Sequence, residues 1–222
     1  MRRLLVLALT LVIGHLPYAI SSSFAKETSE DRPVGSLGGA VHADPFTGVA
    51  TTSIPIEVPP GRNGMQPSLA LTYNSAAGNG WLGMGWELEQ EGIYRQTKWG
   101  VDYTNNTLEK AFTVKMAGVS GDLVPSPSPA PSNQWSAKIE GGFSRIQQMG
   151  TGNTMYWIVT TKQGRKHYFG QTSDARQIDP GNPANIFGWL LNRIEDPDGN
   201  YLTLSYTPGP DPTNNQVYLG NV

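Results

Sequence analysis

Beyond the first 25 residues, no window longer than about ten residues keeps a helical period of apolar side chains. Apolar residues instead recur at every second position, in short runs cut by glycine and proline. Ala50, Thr52, Ile54, Ile56 and Val58 share one parity, and Thr51, Ser53 and Glu57 the other. Leu69, Leu71 and Tyr73 repeat the pattern, as do Trp86 and Leu88 leading to Ile93, and Phe112, Val114 and Met116. A period of two puts alternate side chains on opposite faces of a strand, so the pattern predicts an all-β chain of short, half-buried strands. The punctuation agrees. The 222 residues include 26 Gly and 17 Pro, about a fifth of the chain where about 12% is usual. Pro55 lacks an N–H and predicts an edge or a bulge in its strand. Pro59-Pro60-Gly61 stops that strand, and Arg62-Asn63-Gly64 is a tight-turn signal. Two further hairpins are predicted, one around Gln163-Gly164 and one around Asp196-Pro197-Asp198-Gly199-Asn200.

Composition excludes several classes. There are no cysteines, hence no disulfide framework, no thiolate nucleophile and no cysteine zinc site. The formal net charge is −2 with 15% charged residues, which gives no electrostatic case for nucleic acid. With 38% hydrophobic residues, six Trp, nine Tyr and six Phe, the chain is not disordered by composition.

The amino terminus reads as a secretory signal peptide over residues 1–25. Arg2 and Arg3 precede the apolar run Leu4 to Ile13, and Ser23-Phe24-Ala25 supplies small residues for cleavage after Ala25. The run is too short to cross a bilayer. Cleavage removes two Arg and leaves 14 basic against 18 acidic residues, a net charge of −4. The chain is therefore expected to be secreted, extracellular or at the cell surface. Residues 26–34 read as a flexible lead-in, 35–124 as a first β region, and 133–222 as a second. Between them, residues 125–132 spell PSPSPAPS, an extended loop or linker.

Few patterns carry chemistry. Gly78, Gly80 and Gly83 complete a GxGxxG, but β parity follows where a dinucleotide site needs a helix, so a β-rich loop under Trp81 and Trp86 is favoured. Arg32, Thr51-Thr52-Ser53 and Glu87-x-Glu89 follow the residue order of an ADP-ribosyltransferase. An exposed strand face explains the two Glu equally well. Asp196, Asp198 and Asn200 resemble the start of a calcium loop, yet the twelfth position is Thr207, and a hairpin turn is the better reading. His42 and His167 are isolated, with no metal-ligand spacing. The tryptophans favour a core role over a sugar-stacking platform, for which Trp81 and Trp99 are the candidates. Asn105 opens a glycosylation sequon. No catalytic residue, cofactor or metal ligand is expected.

The segment Gly48 to Gly64, GVATTSIPIEVPPGRNG, is followed by Pro67 to Ser75, Gly78-Asn79-Gly80, Leu82 to Trp86, and Ile93 to Gly100. This ordered block resembles the opening of the Salmonella virulence-plasmid B-protein (SpvB) family, which also begins the B components of insecticidal toxin complexes and related Rhs/YD-repeat proteins. Leu123-Val124-Pro125, Tyr156 to Gly164 and Tyr168 to Gly170 look like the family's next strands, and Ile194 to Asn200 with Leu202 to Tyr206 looks like a YD-type hairpin. The family positions carried over are Pro55, Pro60, Gly61, Arg62, Gly64, Tyr73, Asn74, Gly78, Gly80, Gly83, Gly85, Trp86, Arg95, Gly100, Asp196, Gly199 and Asn200, all as structural residues. The resemblance implies a curved sheet or part of a β shell that encloses a toxin, with any ADP-ribosyltransferase in a separate C-terminal domain. It also leads us to expect the front part of a longer design: an open wall whose free edges need a partner chain or a further shell region. The alternatives are a secreted glycan-binding or adhesin module and, third, the enzyme.

Overall fold

A computed structural model describes residues 41–104, 111–211, 213 and 215–222. The signal peptide, the lead-in, Arg32 and the Asn105 sequon lie outside the described residues.

The described chain is mostly β-strand. It begins with β1 (His42–Ala43), β2 (Ala50–Pro55) and β3 (Ala70–Asn74). A two-strand finger follows, β4 (Asn79–Gly80) and β5 (Gly83–Met84), and then β6 (Trp86–Glu89). Strands β1, β2, β3 and β6 form a four-stranded antiparallel sheet in that order. Pro55 is the last residue of β2, where a missing N–H costs least. Asn63 and Gly64 bring the chain back toward β3 with left-handed φ of 55° and 67°, the conformation Asn and Gly tolerate best.

The chain then builds a second unit. Its strands are β7 (Gly92–Arg95), β8 (Phe112–Met116), β9 (Val119–Pro125), β10 (Gln134–Ala137), β11 (Arg145–Met149), β12 (Tyr156–Thr160) and β13 (Lys166–Phe169). After β14 (Arg176–Asp179) comes the 14-residue β15 (Asn182–Glu195). Strands β7 to β13 pair in sequence order, β15 pairs with β7, and β13 pairs back onto β15. Eight strands thus close into an antiparallel barrel. This corrects the expected open wall: the ring has no free edge. Closure rests on the length of β15. Gly188, Trp189 and Leu190 pair with β7, while Leu191, Arg193, Ile194 and Glu195 pair with β13. Residues of β15 from Asn182 to Trp189 also hold β14, and its end holds β16 (Tyr201–Thr203). A hairpin of β17 (Ser205–Pro208) and β18 (Val217–Asn221) follows. The Pro/Ser-rich stretch joins β9 to β10, two paired neighbours of the ring.

Eight strands leave an interior that side chains can fill. Alternate residues point in: Phe112, Val114 and Met116 from β8, Trp157 and Val159 from β12, Phe169 from β13. Phe112 meets Trp135, Trp157 and Trp189 edge-on at centroid distances of 5.2, 4.9 and 5.7 Å. Such edge-to-face geometry sets the positive rim of one ring against the negative face of another. The Trp189 indole N–H donates to the Met155 carbonyl at 2.8 Å, which satisfies a buried donor. Arg95 lies in the same core, 3% exposed. Its Nε donates to the Ile186 carbonyl at 2.7 Å, its Nη1 to the Asp102 carbonyl at 2.8 Å, and its guanidinium sits over Phe112 at 5.2 Å. Burial pulls the Arg95 pKa down, opposed by Tyr103 and Asp102.

Candidate functional site

The described residues form a half-open cleft of about 1,020 Å³. The small sheet, the β4–β5 finger, β18 and the outer wall of the barrel line it. Strand register sets its polar wall. Ser53 pairs with Thr72, and Thr72 with Glu87, so one row crosses β2, β3 and β6. Glu87 reaches Lys115 of β8 at 3.5 Å, both side chains well exposed. Tyr94 of β7 also lines the cleft. Its phenol is pushed up to about 12, first by burial and then by the Glu87 charge.

Two aromatic pairs give the cleft its shape. Trp81 is 47% exposed and leans on Tyr218 of β18, ring centroids 4.7 Å apart at 52°. Trp86 meets Tyr73 across the sheet at 5.2 Å. The glycines explain how the finger folds. Gly80 pairs with Gly83 and Asn79 with Met84. Gly85 has φ 77°, and a Cβ there would stand 2.7 Å from the Tyr73 ring. Gly85 N–H donates to Gly78 O at 3.0 Å, and its carbonyl accepts from Asn74 N–H at 2.9 Å. The glycine-rich stretch is therefore a β finger that leads into β6 and has no helix to receive a phosphate.

A second arrangement joins two turns far apart in sequence. The Asp196 carboxylate accepts from the backbone N–H groups of Asp198 and Asn200 at 3.0 and 2.8 Å and from Asn200 Nδ2 at 2.8 Å. It also accepts from Asn63 Nδ2 at 3.3 Å. The Asn200 side chain above all, then its backbone N–H, Asn63 and Asp198, hold the Asp196 pKa below the usual carboxylate value. Gly199 at φ 83° completes the turn. These residues close a hairpin and tie it to the turn at Arg62–Gly64. No set of three or more metal-ligating side chains is gathered among the described residues.

The remaining candidates separate clearly. Thr51, Thr52, Ser53 and Glu87 line the cleft, but Glu89 is exposed elsewhere on β6. His42 sits at the cleft rim on β1. His167 is buried, its Nδ1 3.6 Å from a Glu91 oxygen. Trp135, Trp157 and Trp189 are core residues, while Trp81 and Trp99 are 47% and 69% exposed. Trp99 lies outside the cleft, with the Lys98 ammonium 5.6 Å from its ring centre. Gly61 is a close-packed position, since a Cβ there would meet the Met65 carbonyl at 2.9 Å, whereas Gly100 (φ 88°) faces open space. Sequence reasoning missed Tyr218, because β18 offers only a short apolar run.

Comparison with known proteins gives concordant matches. The family model described as Salmonella virulence plasmid 65kDa B protein matches residues 44–217. The mono(ADP-ribosyl)transferases SpvB of Salmonella choleraesuis and Salmonella typhimurium are 27% identical over 204 residues, 84% of this chain and 34% of theirs. The chain thus spans about a third of the length of the curated relatives it matches. The crystal structure of TcdB2-TccC3 superposes with a TM-score of 0.68 at 25% identity, over 82% of this chain and 10% of that one. The N-terminal domain of effector protein SpvB from Salmonella typhimurium strain LT2 superposes with a TM-score of 0.60 at 24% identity, over 75% of this chain and 61% of that one.

Proposed function

The chain belongs to the Salmonella virulence plasmid 65kDa B protein family, and on that premise we propose that it is a non-catalytic shell module. In this reading it contributes a β-rich wall to a larger toxin assembly. The carrying observation is the superposition of 82% of this chain on a tenth of the TcdB2-TccC3 chain. The SpvB match supports the non-catalytic reading, because the chain aligns with the N-terminal domain of that effector. Export would run through residues 1–25, and the partner would be a further shell region, with a toxin as cargo. The seventeen family positions would act by shaping turns and closing contacts.

The test is a chimaera. Residues 44–217 replace the corresponding segment of TcdB2, and the product is purified with TccC3. A single particle that shields the TccC3 C-terminal region from protease is expected. A folded chimaera that leaves that region open to protease overturns the reading. Turnover of NAD by the purified chain, lost in Glu87→Gln, would replace it with the enzyme.

A further inference from the structure

We propose that the cleft between the small sheet and the barrel is a binding site for neutral oligosaccharides. Saccharides combine two surfaces: hydroxyl edges that need donors and acceptors, and C–H faces that pack on aromatic rings. The cleft presents both. Ser53, Thr72 and Asn79 supply hydroxyl and amide groups along its walls, and Trp81 offers an indole that is 47% exposed. Aromatic rings with a polar handle suit surfaces that are apolar on one side and wet on the other.

Charge narrows the ligand class. Glu87 and Lys115 pair at 3.5 Å, so the wall has no surplus of either sign for an ionic ligand. Size and shape narrow it further. About 1,020 Å³ lies at the top of the usual range for ligand pockets, about 300–1,000 Å³. A half-open trough of that size, walled by hydroxyl and amide groups on one side and by aromatic rings on the other, suits several linked sugar rings, which carry both polar edges and apolar faces.

The platform is also held in place. Trp81 is braced by the Tyr218 ring at 4.7 Å, and the Tyr218 hydroxyl donates to Gln216 Oε1 at 2.6 Å. A ring fixed before binding loses little freedom when the ligand arrives. Trp99, although more exposed at 69%, lacks a cleft and serves as the internal control. The site is independent of the shell reading, since neither its geometry nor its ligand depends on assembly.

The experiment titrates the full chain with maltohexaose, cellohexaose, chitohexaose and mannohexaose, by calorimetry and by Trp fluorescence. At least one hexasaccharide binds at millimolar concentration or below. Trp81→Ala weakens that binding about tenfold or more, Trp81→Phe restores most of it, and Trp99→Ala leaves it unchanged. Near-ultraviolet circular dichroism checks the fold of each variant, and Ser53→Val provides a second probe that leaves Trp81 in place. Absence of binding to all four sugars overturns the proposal, as does binding that survives both Trp81→Ala and Ser53→Val. Shielding of Trp81 from hydroxyl-radical footprinting in the TccC3 particle, without sugar binding, would assign the cleft to protein contact and also overturn it.

Discussion

Trp157 in the barrel and Trp86 in the four-stranded sheet occupy strands with the same alternation, yet Trp157 is fully buried and Trp86 only half covered. The barrel folds its sheet back on itself, so its inward side chains have neighbours in every direction. The small sheet has one open face on the cleft and two outer strands, β1 and β6, each paired on one side only. The same local code therefore produces a dense core in one region and a partly solvated wall in the other. Stability is expected to concentrate in the barrel, and binding in the sheet.

The largest test of that contrast is truncation. Trp157→Ala removes a ring that touches both Phe112 and Trp189, and should cost about 3–5 kcal/mol of unfolding free energy. Leu71→Ala, half buried in β3, should cost about 1 kcal/mol. Urea unfolding measures both, and equal losses would break the comparison.

Glycine substitutions give the next effect. Gly170 and Gly48 have nearly the same positive φ, 66° and 69°. A Cβ on Gly170 would run into the Trp189 ring, whereas one on Gly48 would meet nothing within 4 Å. Gly170→Ala should therefore cost about 2–4 kcal/mol, strain plus overpacking, and Gly48→Ala about 1–2 kcal/mol from strain alone. Thermal unfolding of the two variants separates packing from backbone.

Tyr94 stands where the two regions meet, and its titration is the third test. Its folded pKa, about 12, lies above the ordinary tyrosine value of 10.0. The folded state thus holds the phenolic proton more tightly than the unfolded chain does. The associated stability is complete below pH 10 and falls away as the pH rises toward 12. Tyr94→Phe should flatten the alkaline limb of the stability profile. An unchanged limb would remove Tyr94 from this role.

The smallest effect is expected at the joined turns. Asn63→Ala loses the side-chain bond to Asp196 and places Ala at φ 55°, and should lower Tm by about 2–4 °C. Asn63→Gly keeps the backbone and loses only the bond, so it should fall between the two. Because the folded Asp196 pKa is depressed, its contribution is present above the unfolded carboxylate pKa and is lost as pH falls through the folded value. The part of each loss that comes from the bond should therefore shrink in acid, while the backbone strain of Asn63→Ala stays.

Much of the strand content was legible because alternation is a local signal. Phe112, Val114 and Met116 announced β8, and Lys166 to Phe169 announced β13. Strands β10, β11, β14 and β18 were not legible: QWSA, RIQQM, RQID and VYLGN are too short or too polar to show a period. The turn residues around Asp196 were readable as a hairpin. Their bond to Asn63, 133 positions away, was not, since sequence distance carries no information about which turns meet. Trp81 and Trp99 looked alike in sequence, and only the position of Tyr218 separates them.

The amino-acid sequence by itself determined that this chain forms short β-strands joined by Gly- and Pro-bearing turns, without disulfides, and it carried the family resemblance. Those properties follow from backbone sterics and side-chain parity, which act over a few residues. Tertiary structure alone decided that the main sheet closes, and that the small sheet is left to wall a cleft. Closure depends on β15 being long enough to pair with β7 and with β13, a contact between residues that meet only when the whole ring is in register.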